Sequence, residues 1–391
     1  MLMLKLKQII LYGLLIFFLS HAAHAATYYV SPYGSDNNLG TLNKPFKSLS
    51  HVARKVQPGD TVIALDGIYY DTDQGKNEAI LYIRKGGSSD KKIVFKALNP
   101  GKVVLDGKNK VKYGIYIAPG AAQITIDGFE IKRCWHFGIS IAGDYITVKK
   151  NNIHDNGLTC PADYPYGEGG IYTDKQASHI TIDSNKVYHN GRLYLHKGDH
   201  KNDNEDHGIY ICSSHSLIIN NLIYDNQAFG IQIAGYGILT DVVISNNTIL
   251  NEQNRGGIIV WNRGAKDCII QNNIIFNNNG YAVSFLKDGG HHIVRNNILF
   301  NNSDGEILEF MTSANNIYEN KITNPMLDES FIPVAGSPAI NAGYSNDAPS
   351  HDINGLIRNN NDGVDIGCYE HISSDSTIEP PSGLRVLNMS F

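Results

Sequence analysis

The sequence is poor in cysteine, has no long hydrophobic run beyond its N-terminus and carries no excess of basic residues. Five cysteines in 391 residues are too few for a disulfide scaffold. The formal net charge of −5 argues against a generally basic surface that binds nucleic acid. A hydrophobic fraction of 42%, with 18% charged residues, argues against wholesale disorder. The sequence therefore predicts a folded protein without a nucleic-acid partner.

The apolar run near the N-terminus is typical of a secretory signal. Lys5 and Lys7 precede apolar residues 9–19, and Ala23-His24-Ala25 fits a small-x-small cleavage site. We expect a signal peptide over residues 1–25, with an uncleaved anchor as the alternative. The run is short for a membrane span, and no later stretch approaches spanning length. The mature chain is expected to be secreted, extracellular or periplasmic, without a membrane span, and monomeric.

Export permits disulfides, but an odd number of cysteines leaves at least one thiol unpaired within a monomer. Cys134 and Cys160 can meet if they lie on adjacent coils of the fold described below. Buried free thiols are the alternative, and the sequence leaves both open.

A tetrad of the form Gly-Ile-x-apolar recurs through the middle of the chain. Its first residues are Gly114, Gly138, Gly170, Gly208, Gly230 and Gly257, with a weaker copy at Ala282. A second phrase, apolar-x-x-Asn-x-apolar, recurs between the tetrads, and its asparagines are Asn151, Asn185, Asn221, Asn247, Asn273 and Asn297. Alternation with a period of two over four or five residues indicates strands rather than helices. Each repeat therefore holds two or three short strands separated by turns.

Such repeats cannot bury their apolar faces singly, but they can when stacked in register as parallel sheets. We predict an all-β, single-stranded right-handed parallel β-helix of nine or ten coils over residues 26–330. The repeated asparagines then form an internal hydrogen-bonded ladder. An amphipathic helix over residues 45–56 is expected to cover the first coil, residues 331–371 to form an irregular C-terminal cap, and residues 372–391 to form a flexible tail. A β-propeller is the alternative all-β fold, but it needs longer repeats and antiparallel hairpins, and the short regular repeat argues against it.

Two coils carry long insertions, over residues 155–169 and 190–207, each followed by a Gly-Ile-Tyr strand. Insertions in an economical solenoid usually mark its binding face. The second is rich in acids, and Asp199, Asp203, Glu205 and Asp206 offer the hard oxygen ligands that suit Ca²⁺. A solvated polar loop is the alternative reading. The calcium prediction is therefore an expectation from residue chemistry alone.

The repeat predicts which other side chains meet on that face. Glu168, Asp206 and Arg255 each lie two residues before the glycine of a tetrad, so they should share one outward column. Tyr172, Tyr210 and Gln232 should share a second column, because each occupies the x position of a tetrad. Asp174, Lys175 and Trp261 follow further along the strands. Aromatic platforms beside charged groups are common in carbohydrate sites, although structural stacking also explains the tyrosines.

These repeats resemble those of the pectin-lyase-like right-handed parallel β-helix superfamily. The opening Tyr28-Tyr29-Val30-Ser31, with Pro58-Gly59-Asp60-Thr61, is similar to the start of polysaccharide lyase family 9 and related secreted bacterial proteins. Residues 337–343, Ser-Pro-Ala-Ile-Asn-Ala-Gly, resemble a C-terminal cap often found on secreted β-helix proteins.

The resemblance implies a Ca²⁺-assisted lyase that cleaves an acidic, uronate-containing polysaccharide by β-elimination. Asp203, Glu205 and Asp206 are counterparts of the family's acid cluster, but its catalytic lysine has no clear match. The candidate catalytic residues are therefore His207, Tyr210, Arg255 and Lys175, and the candidate substrate-binding residues are Tyr172, Gln232, Trp261 and Glu168. A C5-epimerase, a glycoside hydrolase with Glu168 and Asp206 as its carboxylate pair, and a non-catalytic glycan-binding or adhesin β-helix are the alternatives.

Overall fold

A computed structural model of the chain describes residues 25–70, 78–159, 168–192, 206–235, 237, 239–261, 265–286, 290–310, 315–358 and 363–371. The predicted signal peptide before Ala25, the tail, Cys160, and the calcium candidates Asp199, Asp203 and Glu205 lie outside these ranges. Among the described helices, none is long and apolar enough to cross a membrane. The described cysteines are buried, and they are Cys134, Cys212, Cys268 and Cys368.

Twenty-nine strands of the described chain form three sheets in which neighbouring strands run parallel. Sheet A holds β1 (Thr27–Val30), β2 (Thr61–Ala64), β5 (Ile93–Ala97), β8 (Ala122–Asp127), β11 (Asp144–Lys149), β14 (Thr181–Asp183), β17 (Leu217–Ile219), β20 (Val243–Ser245), β23 (Ile269–Gln271), β26 (Ile293–Arg295) and β29 (Asn316–Tyr318). Sheet B holds β3 (Gly67–Tyr69), β6 (Val103–Asp106), β9 (Glu130–Lys132), β12 (Asn152–His154), β15 (Lys186–Tyr188), β18 (Leu222–Tyr224), β21 (Thr248–Leu250), β24 (Ile274–Phe276) and β27 (Ile298–Phe300). Sheet C holds β4 (Ala79–Ile83), β7 (Tyr113–Ile117), β10 (Phe137–Ile141), β13 (Gly169–Thr173), β16 (His207–Ile211), β19 (Ile231–Ala234), β22 (Ile258–Trp261), β25 (Tyr281–Leu286) and β28 (Gly305–Phe310).

Each coil passes from sheet A to sheet B to sheet C, which confirms the predicted parallel β-helix. Sheets B and C each contain nine strands, which agrees with the expected nine or ten coils. The isoleucines of the tetrads stack inward, as in the register of Ile139 with Ile115 and with Ile171. These side chains are fully buried, and burial of each contributes about 1.5–3 kcal/mol. The tetrad therefore supplies the core of sheet C.

The glycine of each tetrad lies at the start of its sheet C strand, either as the second residue of the strand or directly before it. At Gly208, a Cβ atom would lie 2.7 Å from the Gly230 carbonyl oxygen and 2.9 Å from the Asn226 side-chain nitrogen. No other residue fits without moving the next coil, because the contact on one side is backbone. This close approach explains why the tetrads of the central coils begin with glycine.

The predicted asparagine ladder is present at the corner between sheets A and B. The Nδ2 of Asn185 donates to the Oδ1 of Asn221 at 3.0 Å, and Asn221 donates to Asn247 at the same distance. The ladder runs from Asn151 through Asn297 to Asn320. Its amides also bond backbone carbonyls at the turns, for example Ile182 O and Ile219 O. Each coil thereby satisfies the polar groups that its corner exposes.

A second ladder, which the sequence analysis did not predict, occupies the corner between sheets B and C. Asn156 donates to Asn190 at 3.1 Å, and Asn190 donates to Asn226 at 3.0 Å. Asn226 then donates to Glu252, a carboxyl in an asparagine position, at 3.3 Å. The pattern resumes at Asn278, which donates to Asn302 at 2.9 Å. This ladder lies beneath the tetrad glycines and supports the edge of sheet C.

The N-terminal helix is shorter than predicted, since α1 spans only Leu49–Ala53. Phe46 forms a bridge with Val30, so the segment before the helix is extended rather than helical. Asp36 accepts the backbone N–H groups of Lys47 and Ser48 and fixes the chain just before the helix begins. The predicted apolar face is nevertheless buried, and it consists of Phe46, Leu49, Val52, Ala53 and Val56.

The irregular C-terminal segment covers the side of the solenoid along sheet B. Its residues Cys368 and Tyr369 pack in one cluster with Leu222 and Leu250 of sheet B. A second cluster joins the segment to Ile274 and Ile298, through Ala339 and Ile366. Fully buried Arg358 donates to the Asn220 side chain at 3.0 Å. The segment lies along sheet B because those outward side chains are apolar and need cover.

Candidate functional site

The outer face of sheet C carries the side chains that the repeat placed in columns. Tyr172 is in register with Tyr210, and Tyr210 with Gln232, as predicted. Tyr82 and Tyr116 continue this column toward the N-terminus. We call Tyr82, Tyr116, Tyr172 and Tyr210 the aromatic row. Both insertions join sheet B to sheet C, between β12 and β13 and between β15 and β16, so they leave the same edge of this face.

The aromatic row is nearly continuous over five coils. The rings of Tyr82 and Tyr116 lie 4.9 Å apart, and those of Tyr172 and Tyr210 lie 5.5 Å apart in an edge-on arrangement. Ser140 interrupts the column, but Phe137 of the same strand stacks on Tyr172 at 5.1 Å and fills the gap. The tyrosines are half-buried. They form a strip of apolar faces and phenolic hydroxyls suited to a sugar chain.

Glu168 lies beside His136 in the edge row, which we define as His136, Glu168, Asp206 and Arg255, each two residues before a tetrad glycine. Its Oε2 contacts the Nδ1 of His136 at 2.6 Å, and the side chain of Glu168 is 0% exposed. Burial, together with the charges of Lys112 and Arg192, lowers the pKa of His136 to about 3. Glu168 is therefore in the predicted column, but it is buried against a histidine rather than presented outward.

Asp206 is the one predicted calcium ligand within the described residues, and its carboxylate is already engaged. Arg192 donates to it from Nε and from Nη2, both at 2.8 Å, and the Glu168 backbone N–H adds a bond at 3.1 Å. With the backbone N–H of Arg192 at 3.0 Å, these donors engage all four lone-pair sites of the carboxylate and leave none for a hard cation. The described residues also hold no cluster of three metal-ligating side chains. Asp206 thus does not fit Ca²⁺, and no step below uses a metal.

His207 is buried behind the edge row and is neutral. It is 1% exposed, and its Nδ1 accepts the backbone N–H of Phe229 at 3.3 Å. Burial and then the charge of Arg255 lower the pKa of His207 to about 3. Since Nδ1 is an acceptor, the ring proton resides on Nε2, and His207 acts as a hydrogen-bond donor. A base role for Nδ1 is therefore excluded by this geometry.

Tyr210 lies at the centre of the face. Its ring contacts the imidazole of His207 edge-on at 5.3 Å. The thiol of Cys212 is hydrogen-bonded to the side chains of Tyr210 and Tyr172. Burial raises the pKa of Cys212 to about 12, so the thiol is neutral and serves the two phenols as a polar neighbour.

Lys175 and Trp261 lie at the opposite edge of the face, where sheet C leads back to sheet A. Lys175 is exposed and follows Asp174, whose carboxylate accepts the Tyr172 hydroxyl at 3.4 Å. Trp261 ends β22 and is 37% exposed. Trp261 follows Arg255 of the edge row by six residues and Lys175 follows Glu168 by seven, which corresponds to about 20 Å of strand. The structure therefore brings the rings of His207 and Tyr210 together, places Gln232 in register with Tyr210 and puts Arg255 near His207, whereas Lys175 and Trp261 lie at the opposite edge.

Several residues of this face were not singled out from the sequence. His136 precedes its tetrad glycine by two residues, as Glu168 does, so the repeat already indicated its position. Tyr82 was not identified from the sequence because its strand has no Gly-Ile tetrad. Arg192 had no signal in the sequence, since its bond to Asp206 spans residues 193–205 and follows no repeat register.

Two family models match successive parts of the chain. Residues 28–200 match the model described as "Pel9A-like, right handed beta helix region", and residues 198–352 match "Right handed beta helix region". Both models describe right-handed β-helices, and together they match residues 28–352. The N-terminal part of this β-helix thus has the stronger likeness to Pel9A.

Single proteins that resemble this chain share only a modest fraction of identical residues with it. Uncharacterized protein YwoF of Bacillus subtilis is 25% identical over 300 residues, which are 64% of this chain and 56% of that protein. Pectate lyase PEL9 of Emericella nidulans is 31% identical over 87 residues, or 22% of this chain and 20% of that protein. The match therefore spans less than two thirds of either relative. The crystal structure of pectate lyase Pel9A has a TM-score of 0.65 at 19% identity, over 89% of this chain and 96% of that one.

Proposed function

We propose that this β-helix is a secreted, polysaccharide-active enzyme that cleaves a uronate-containing glycan by β-elimination on the outer face of sheet C. The observation that carries the proposal is the aromatic row beside Arg255 and His207. A glycan lying along the coils would stack on the tyrosines and expose its acidic groups to the edge row. The likeness to two pectate lyases supports the same class of reaction.

β-Elimination requires a positive charge near the uronate carboxylate and a group that takes the proton at sugar C5. Arg255 supplies the charge through its guanidinium group. Tyr210 supplies the proton-transferring oxygen, because His207 is neutral with its Nδ1 engaged and Lys175 lies at the far edge. Tyr210, as its phenolate, takes the C5 proton, and the electron pair of that C–H bond forms the C4–C5 double bond. The bond from C4 to the leaving oxygen breaks, and the leaving oxygen takes the proton back from the Tyr210 hydroxyl.

The alternative functions require different groups on the outer face of sheet C. A C5-epimerase uses the same proton abstraction and returns a proton to the opposite face of the sugar. Hydrolysis by Glu168 and Asp206 is not favoured, since His136 and Arg192 already hold these buried carboxyls. A non-catalytic binder needs the aromatic row alone. The predicted Ca²⁺ remains a prediction that rests on Asp199, Asp203 and Glu205.

The reaction is tested with pectate, alginate and glycosaminoglycan substrates, each with Ca²⁺ or with a chelator. We expect one substrate to yield an unsaturated product, seen by its ultraviolet absorbance, with falling chain length. Reducing ends without that absorbance would indicate hydrolysis, and binding without any product would indicate a non-catalytic β-helix. Loss of the product on chelation would support the calcium prediction.

Tyr210→Phe removes only the hydroxyl. We expect kcat/KM for the cleaved polymer to fall by at least about 100-fold, the usual contribution of a general acid–base group. Tyr188→Phe is the matched control, because Tyr188 is also half-buried but lies on sheet B, stacked on His154. An unchanged rate in Tyr210→Phe would remove Tyr210 from the mechanism while leaving the lyase reaction in place.

A further inference from the structure

Within the part of the chain that the structure describes, three buried polar atoms lack a hydrogen-bond partner and lie on successive coils, in or just before the strands of sheet C. They are Nε2 of His207, Oε1 of Gln232 and Nε of Arg255. His207 and Gln232 are only 1% and 3% exposed. A buried polar atom that lacks a partner costs about 1–3 kcal/mol. Three such atoms on one face, among eight in the described residues, need a common explanation.

The three atoms have complementary chemistry. His207 donates from Nε2, since its Nδ1 accepts the Phe229 N–H. Arg255 adds a second N–H donor and a fixed positive charge close enough to lower the pKa of His207. Gln232 offers a carbonyl oxygen, which accepts. Two donors and a cation suit a carboxylate, and the acceptor suits a hydroxyl.

We propose that His207, Gln232 and Arg255 form one subsite for a single uronic-acid residue of the glycan. Arg255 and His207 hold its carboxylate, and Gln232 accepts a hydrogen bond from a ring hydroxyl. The inference rests on the proposed function and deepens it, because it names the groups that select an acidic sugar over a neutral one. The protein carries a net negative charge and therefore repels an acidic polymer. The local donors Arg255 and His207 have to overcome that repulsion.

The subsite surrounds the residue to which proton transfer is assigned. Tyr210 is in register with Gln232 on the next coil, and its ring contacts the imidazole of His207. A carboxylate bound by His207 and Arg255 therefore lies next to the Tyr210 hydroxyl, where the adjacent C5 proton must be taken. Tyr210 and Arg255 are half-buried, so the approach from solvent is along these two side chains.

The test measures affinity for polygalacturonate or alginate and for the same polymer with its carboxyls methyl-esterified, by affinity electrophoresis. Arg255→Gln removes the charge. His207→Asn keeps an acceptor for the Phe229 N–H and removes the Nε2 donor. Both are expected to lose at least about tenfold in affinity for the acid polymer and little for the ester. Arg54→Gln, an exposed arginine at the end of α1, is the control and should match the wild type.

Gln232→Met provides an independent variant of similar shape. It is expected to weaken binding of the acid polymer and of the ester alike, since both keep the ring hydroxyl. Circular dichroism establishes that each variant folds. If the three variants bind and discriminate as the wild type does while the wild type still cleaves, the subsite is wrong and the proposed function stands. If the wild type neither binds nor cleaves any uronate polymer, the proposed function fails, and the subsite fails with it.

Discussion

Asn221→Ala is expected to lower the free energy of unfolding by about 3 kcal/mol or more. Asn221 is fully buried in the first ladder, where it donates to two backbone carbonyls and to Asn247. Its Oδ1 also accepts from the backbone and the side chain of Asn185. Alanine removes these five hydrogen bonds, which join three successive coils, and leaves the buried backbone N–H of Asn185 without its acceptor. Urea unfolding followed by circular dichroism measures the loss.

The control for this substitution is Asn279→Ala. Asn279 is exposed, although it too bonds an adjacent coil, by donating to the Gln253 carbonyl at 2.9 Å. Water replaces that bond, so we expect a change within about 0.5 kcal/mol. Equal effects of the two substitutions would mean that the buried ladder contributes no more than surface hydrogen bonds do.

Glu252→Gln is expected to stabilise the protein above neutral pH and to flatten its stability profile. Glu252 is buried in the second ladder, accepts from the backbone and side chain of Asn226, and has Asp225 nearby. Burial, opposed in part by the bonds from Asn226, raises its pKa well above the usual value. An asparagine at this position would donate a hydrogen bond to the next coil. The carboxyl group of Glu252 can donate one only when it is protonated.

The direction of the pH effect follows from linkage. The folded state holds the Glu252 proton more tightly than the unfolded state does. Its contribution to stability is therefore complete below the unfolded pKa and is lost as pH rises through the folded one. At about pH 8, glutamine should add about 1–3 kcal/mol, the cost of an unsatisfied buried polar group. Thermal unfolding from about pH 4 to 9 compares Glu252→Gln with Glu309→Gln, an exposed carboxyl on β28. Parallel profiles for the wild type and Glu252→Gln would contradict the prediction.

The repeat was sufficient to predict the fold and the columns of sheet C. Its tetrads fixed the inward isoleucines and the outward tyrosines, because a strand alternates and parallel coils keep their register. The second ladder was also present in the sequence, since its members lie five residues after those of the first. Asn156 follows Asn151 by that spacing, and Asn226 follows Asn221. Glu252 breaks the run of asparagines, which concealed the pattern.

The contacts within the site were less predictable than its position. Glu168 and Asp206 were placed in their column, but the partners that hold them were not foreseen. His136 sits one coil away and was within reach of the repeat, whereas Arg192 reaches Asp206 across an insertion. Outside the repeat, side chains pair according to local loop geometry, which residue spacing does not encode. The predicted length of helix α1 was too great for the same reason. Asp36 and Val30 bind the segment before the helix and keep it extended.

The directed bonding of the first ladder has a consequence for how the gene can change. Between the ends of the ladder, each asparagine accepts a hydrogen bond from the coil before it and donates one to the coil after it. A duplicated coil inserted between Asn221 and Asn247 would bring its own donor and acceptor and leave no end unsatisfied. Length can thus evolve in whole coils, and each added coil would lengthen the outer face of sheet C by one strand.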